Sequence, residues 1–151
     1  MQTLTRVRHF TVSAPPAQVF PLLCPIREYQ WIPGWRCELL HSVSGVAEED
    51  CVFRTDFADP GPMVWVVSRY EPPARIEFTC FVTGALVQRL KIALSAEGDG
   101  TRLDWTNRWL AVGPRGDAWI AAWSADADAK KMDNLQRLLT RYLAIGTMLP
   151  T

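Results

Sequence analysis

Seven stretches of this chain alternate apolar with polar residues, and only towards the C-terminus does the spacing lengthen to that of a helix. A period of two places successive side chains on opposite faces of a strand. The pattern predicts strands at 4–13 (LTRVRHFTVS), 36–43 (RCELLHSV), 51–57 (CVFRTDF), 63–70 (MVWVVSRY), 75–82 (RIEFTCFV), 85–94 (ALVQRLKIAL) and 101–112 (TRLDWTNRWLAV). The separators EED, ADPGP, EPP, TG and EGDG are turn-like and short, so the strands they join are antiparallel neighbours.

Two short helices are expected between the first strand and the second. Ala14-Pro15-Pro16 ends the strand, Ser13 is a candidate N-cap, and AQVFPLLC places Val19, Leu22 and Leu23 on one face. Pro21 and Pro25 keep that helix short, and IREYQWIPGW supplies a second that breaks at Pro33-Gly34. From about Gly116 to Ile145 the spacing predicts one long helix. Leu135, Leu138, Leu139 and Tyr142 form its apolar stripe, with Asp133, Arg137 and Arg141 mostly outside it. Such a stripe must be buried, and the concave face of the sheet is its natural receiver.

Sorting the strands by alternation separates a mainly apolar face from a charged one. The apolar face carries Leu39, Val43, Phe53, Phe57, Trp65, Phe78, Leu90, Trp105 and Trp109, among others. The opposite face carries Glu38, Arg54, Glu77, Arg89, Lys91, Arg102 and Arg108. His41, Thr55, Gln88 and Asn107 are polar exceptions on the apolar side, and the helix stripe continues towards its N-terminus as Lys131, Asp128 and Ser124. A buried polar group without a partner costs on the order of 1–3 kcal/mol. Several on one inner surface imply mutual hydrogen bonds, trapped water or a cavity; helix residues before 128 lying outside the fold are the alternative for Asp128.

Composition narrows this picture. The 151 residues suit one domain, spanning 1–151. Lys plus Arg and Asp plus Glu are both 16, so no charge excess points to nucleic acid. The longest clean apolar runs, MVWVV and WIAAW, are far below the roughly 20 residues of a membrane span. MQTLTRVRHF does not read as a secretory signal, and Cys24, Cys37, Cys51 and Cys80 form no C-x-x-C pair. Reduced thiols and a cytoplasmic location are therefore expected. Tryptophan is the outlier, at 7 residues; an indole offers flat apolar surface and one N–H, as pocket walls often do.

The order strand, two short helices, six strands and long helix resembles the helix-grip fold of the SRPBCC superfamily. That group includes START lipid-transfer domains, plant pathogenesis-related allergens and polyketide cyclase/dehydrase-like proteins. The resemblance is carried by FTVSAPPAQVFPLL (Phe10 to Leu23), REYQWIPGW (Arg27 to Trp35) and LQRLLTRYL (Leu135 to Leu143), and spans essentially the whole chain. REYQWIPGW is similar to a feature of a bacterial branch of the superfamily. The resemblance implies an α+β fold, a seven-stranded curved antiparallel sheet wrapped around a long C-terminal helix, with a ligand cavity. It implies no particular reaction, so no catalytic set is carried over.

The candidate ligand-binding residues are Trp31, Trp35, His41, Phe53, Thr55, Trp65, Phe78, Gln88, Trp105, Asn107, Trp109 and Asp128. Trp31, Pro33, Gly34 and Trp35 form either an aromatic gate or an anchor for a loop. His41 is either an acid/base group, with Asn107 or Arg69 as a possible partner, or hydrogen-bonded structure. Arg27 and Glu28 either recognise a carboxylate or act in catalysis, or cap or brace the short helix facing water. Cys24, Cys37 and Cys51 could meet near the helix-to-sheet junction, but their spacing matches no zinc pattern, so neither metal nor cofactor is expected. The expected function is binding or transport of a small hydrophobic molecule, such as a lipid, aromatic or polyketide-like compound, by a monomer or homodimer. Two alternatives stand beside it: a cyclase/dehydrase-type enzyme with His41 or Asp128 as base, and an interaction module resembling activators of the Hsp90 ATPase.

Overall fold

The computed structural model describes residues 1–148. Seven antiparallel strands form one curved sheet in the order β1-β7-β6-β5-β4-β3-β2. They are β1 (Thr3–Val12), β2 (Glu38–His41), β3 (Val52–Asp56), β4 (Pro62–Glu71), β5 (Arg75–Val82), β6 (Leu86–Glu97) and β7 (Gly100–Ala111). From β2 to β7 each strand pairs with the next in the chain, and β1 closes the far edge against β7.

Between β1 and β2 run α1 (Pro16–Val19), a 3-10 turn at Phe20–Leu23 and α2 (Pro25–Glu28). Val19, Phe20, Leu22 and Leu23 are buried, so this segment closes one end of the sheet. Its helices begin at prolines, whose missing N–H costs nothing there. Pro15, not Ser13, occupies the first N-cap.

Two expectations need correction. The predicted strand 36–43 is only Glu38–His41, and a register irregularity between Leu39 and His41 ends its alternation. Val43 is therefore 88% exposed rather than inward. It lies in a loop held by Glu48, which accepts hydrogen bonds from the Ser42 hydroxyl and from the Val43 and Ser44 amides.

The predicted helix over 116–145 is two helices, α3 (Pro114–Ala122) and α4 (Ala125–Ile145). Trp123 leaves the helical region, and the Ser124 hydroxyl accepts the Ala127 N–H at 3.0 Å, starting α4 afresh. Asp126 and Asp128 in the first turn suit the positive end of its dipole. α4 buries Met132, Leu138 and Leu139 against the sheet and ends at Gly146, whose positive φ of 71° lets its N–H reach Tyr142 O at 2.7 Å. α3 lies close on the end of the β5–β6 hairpin, because Gly116 has no Cβ to strike the Ala85 carbonyl oxygen. Both helices are tied to the β1 edge: Arg8 pairs with Asp133, and Arg6 donates to Trp123 O at 3.1 Å.

Candidate functional site

The inner face of the sheet packs into two apolar clusters. The larger joins Leu22, Leu23, Phe53, Phe78, Leu90, Ile92 and Trp105 to Met132, Leu138 and Leu139 of α4. The smaller joins Met63, Cys80, Val82, Leu86 and Trp109 to Ile120 of α3. Between them the inward positions are Thr55, Gln88 and Asn107, short or polar side chains that cannot close the gap with hydrocarbon. A cavity of about 390 Å³ lies there, bordered by residues of both clusters and by α4.

Six of the seven tryptophans border this cavity: Trp31, Trp35, Trp65, Trp105, Trp109 and Trp119. Phe53 and Trp65 stack with planes 3° apart, and Phe78 meets both edge-on, a rigid aromatic wall. Trp109 and Trp119 continue it at a centroid distance of 5.5 Å. Four of these indole N–H groups are already engaged within the protein. Trp31 donates to Leu22 O, Trp35 to Pro25 O, Trp65 to Thr55 Oγ1 and Trp119 to Asp59 Oδ1, at 2.8 to 3.1 Å. These bonds fix each ring and take up its N–H. Trp35 reaches across to Phe57, 38% exposed, with 5.8 Å between rings, where the 33–35 turn approaches the loop after β3.

Polar groups enter the cavity at a few points. Gln88 on β6 and Asn107 on β7 are diagonal cross-strand neighbours, since Gln88 pairs with Trp109 and Leu90 with Asn107. Gln88 Nε2 donates to Asn107 Oδ1 at 2.8 Å, which leaves Gln88 Oε1 and Asn107 Nδ2 free for a guest. Reversing both amides would still leave one acceptor and one donor. At one end stands Glu28, the last residue of α2; burial raises its carboxyl well above the ordinary carboxylate range. At another stands Lys131 of α4, an exposed residue whose ammonium is lowered by local desolvation while Asp128 and Asp59 resist that shift. Its Nζ lies 5.9 Å from the Trp123 ring centre.

Trp31, Trp35, Phe53, Thr55, Trp65, Phe78, Gln88, Trp105, Asn107 and Trp109 are thus brought together around one space. His41 is not among them. The irregularity after Leu39 pairs it with Val52, and its side chain is exposed, away from Asn107. Asp128 is buried but stands off the cavity wall, accepting the Trp123 indole N–H at 3.1 Å. Cys24, Cys37 and Cys51 are neighbours, as their spacing near the junction allowed; burial raises the Cys37 and Cys51 thiols. Among the described residues no three His, Cys, Asp or Glu side chains are gathered as a metal site.

Trp119 is the aromatic wall residue that sequence reasoning left out, and Glu28, which it weighed beside Arg27 mainly as a brace facing water, stands at the cavity. Glu28, Trp31, Ile32 and Trp35 stand at i, i+3, i+4 and i+7 in the sequence, and although α2 ends at Glu28 all four border the cavity. Trp119 was hidden by the assumption of one continuous helix.

A family profile described as "Polyketide cyclase / dehydrase and lipid transport" matches residues 1–140. No curated protein matches the sequence. Among solved structures, an uncharacterised protein from Rhizobium leguminosarum superposes with a TM-score of 0.68 at 21% identity, over 93% of this chain and 96% of that one. DynU16, a protein of the dynemicin biosynthetic locus, gives 0.64 at 23% identity over 95% of this chain, which spans only 48% of it. Ara h 8.0201 gives 0.64 at 16% identity, over 91% and 93% of the two chains. At these identities the likeness is one of fold. Among the described residues no helix is long and apolar enough to cross a membrane.

Proposed function

The chain belongs to the polyketide cyclase / dehydrase and lipid transport family, and from that premise we propose that it binds a small, mainly hydrophobic molecule between sheet and α4. One observation carries the reading: a 390 Å³ space walled by indole and phenyl faces that side chains could have filled. Pockets of a few hundred cubic ångströms with apolar walls and few polar points are typical of small-molecule sites. Burial of the guest's hydrocarbon supplies affinity at about 25 cal/mol per Å². The free acceptor of Gln88 and donor of Asn107 orient it, suiting a carbonyl, hydroxyl or amide on the guest.

Cyclase or dehydrase chemistry is the second reading, and Glu28 is the observation that favours it, as an acid at the cavity whose carboxyl burial pushes up. Chemistry of that kind needs a second group beside the acid. Glu28 is shifted by burial alone, and Lys131 is influenced by Asp128 and Asp59 rather than by Glu28. The arrangement therefore favours binding.

Native mass spectrometry of the protein from its own host, followed by extraction, tests the proposal. A retained small apolar molecule is expected, or saturable thermal stabilisation by apolar compounds. Neither outcome appearing would overturn it.

A further inference from the structure

Three ionisable groups border the cavity: Asp59 accepts the Trp119 indole N–H and bears on Lys131, whereas half-buried Glu28 has no partner among the described residues. The ion pairs of the described residues all lie elsewhere, and none includes Glu28. No donor in the protein is hydrogen-bonded to its carboxyl among the described residues, although Glu28 borders the cavity. Of the groups packed around it, Cys37 ahead of β2 is close enough to feel its charge, and that thiol is itself pushed up by burial. Arg27 turns away to Gln30, at 3.1 Å. From α4 the bordering residues nearest in sequence to Lys131 are Met132 and Leu135, which carry no charge.

The surroundings are also unusual for an acid. Trp31 and Trp35, three and seven residues on, border the same space, and their N–H groups are spent on Leu22 O and Pro25 O. The face of an indole ring is negative and attracts cations. A half-buried carboxyl that receives no hydrogen bond from the protein is left for a cation to compensate.

We propose that the cavity selects apolar molecules bearing a protonated or quaternary amine, with Glu28 as counter-ion and the rings of Trp31 and Trp35 beside it. This rests on the ligand-binding reading and names its ligand class. Burial raises the Glu28 carboxyl, so wherever it is protonated in the empty protein, entry of the cation expels that proton into solvent. Amine affinity therefore rises with pH until Glu28 of the empty protein ionises, then levels off. Affinity for a neutral guest does not follow this curve.

The test is calorimetric titration of n-decylamine, n-decanol and n-decanoate, with phenethylamine and phenethyl alcohol as an aromatic-bodied pair. At about pH 8 each amine is expected to bind roughly tenfold tighter than its alcohol. Buffers of different ionisation enthalpy should report proton release for the amine alone at lower pH. Glu28→Gln should collapse the amine-to-alcohol ratio to within about twofold, and Glu28→Asp should retain most of it. Equal affinity of amine and alcohol for the wild-type protein overturns the inference while leaving apolar binding intact. Tightest binding of n-decanoate overturns it in favour of Lys131. A ratio that survives Glu28→Gln in folded protein removes Glu28 from the role. If neither amine nor alcohol binds, both this inference and the reading beneath it fail. Should Glu28→Gln not fold, the wild-type ratio and its pH dependence decide.

Discussion

Gln88 and Asn107 illustrate how a polar pair is tolerated inside an apolar sheet. Each satisfies the other, and what remains faces a space large enough for a guest. Removing one partner is the costly change. Gln88→Leu leaves the Asn107 amide short of a partner and is expected to destabilise by about 1–3 kcal/mol, whereas Gln88→Leu with Asn107→Leu costs less than the sum of the singles. A urea-melt double-mutant cycle checks this. Glu28 carries a pH signature. Its carboxyl is raised in the folded protein, so its ionisation penalises folding once pH passes the unfolded group's ordinary value. Glu28→Gln should therefore raise the melting temperature of empty protein more at alkaline than at acidic pH, and an equal rise at both would contradict it. Residue-level legibility followed from alternation. Thr55, Gln88 and Asn107 fell inward because a period of two determines the face. His41 did not, because an irregularity in β2 leaves no trace in a run of four residues.

At the scale of elements, the break between α3 and α4 matters most, since it swings Trp119 to the cavity and positions Trp123 against Asp128. Ser124 holds the new start. Ser124→Ala should cost about 1 kcal/mol, measured by chemical denaturation. Gly116 holds α3 to the sheet, because a Cβ there would come within 1.9 Å of the Ala85 carbonyl oxygen. Gly116→Ala is expected to destabilise by more than about 2 kcal/mol and to disturb the Trp109–Trp119 contact, read by near-ultraviolet circular dichroism. The break was partly legible. Ser124 with Asp126 and Asp128 is a helix start, but no Gly or Pro stands at 123–125 to mark the end of the helix before it. The seven strands were legible to within a few residues because each turn carries Gly, Pro or acidic residues. The exception is β2, where the chain gives up pairing early for the loop organised by Glu48.

For the whole molecule, the fold follows from matching one apolar sheet face to one helix stripe, and the site is where that match is incomplete. The volume of the mismatch could not be read from the chain, since the same tryptophans could line a space or fill it. With the space present, guests should obey hydrophobic arithmetic. Each added methylene contributes about 0.8 kcal/mol, so affinity in an n-alcohol series should rise roughly fourfold per carbon until the cavity is full. A flat series would point to surface association. The most direct measurement is an NMR titration with n-decanol that follows the indole N–H signals of the tryptophans. Six of those rings border the cavity, and their signals are predicted to shift saturably together while amides of the outer-face residues Thr79 and Arg89 stay still. Unmoved indoles, or shifts confined to the outer face, would contradict the account.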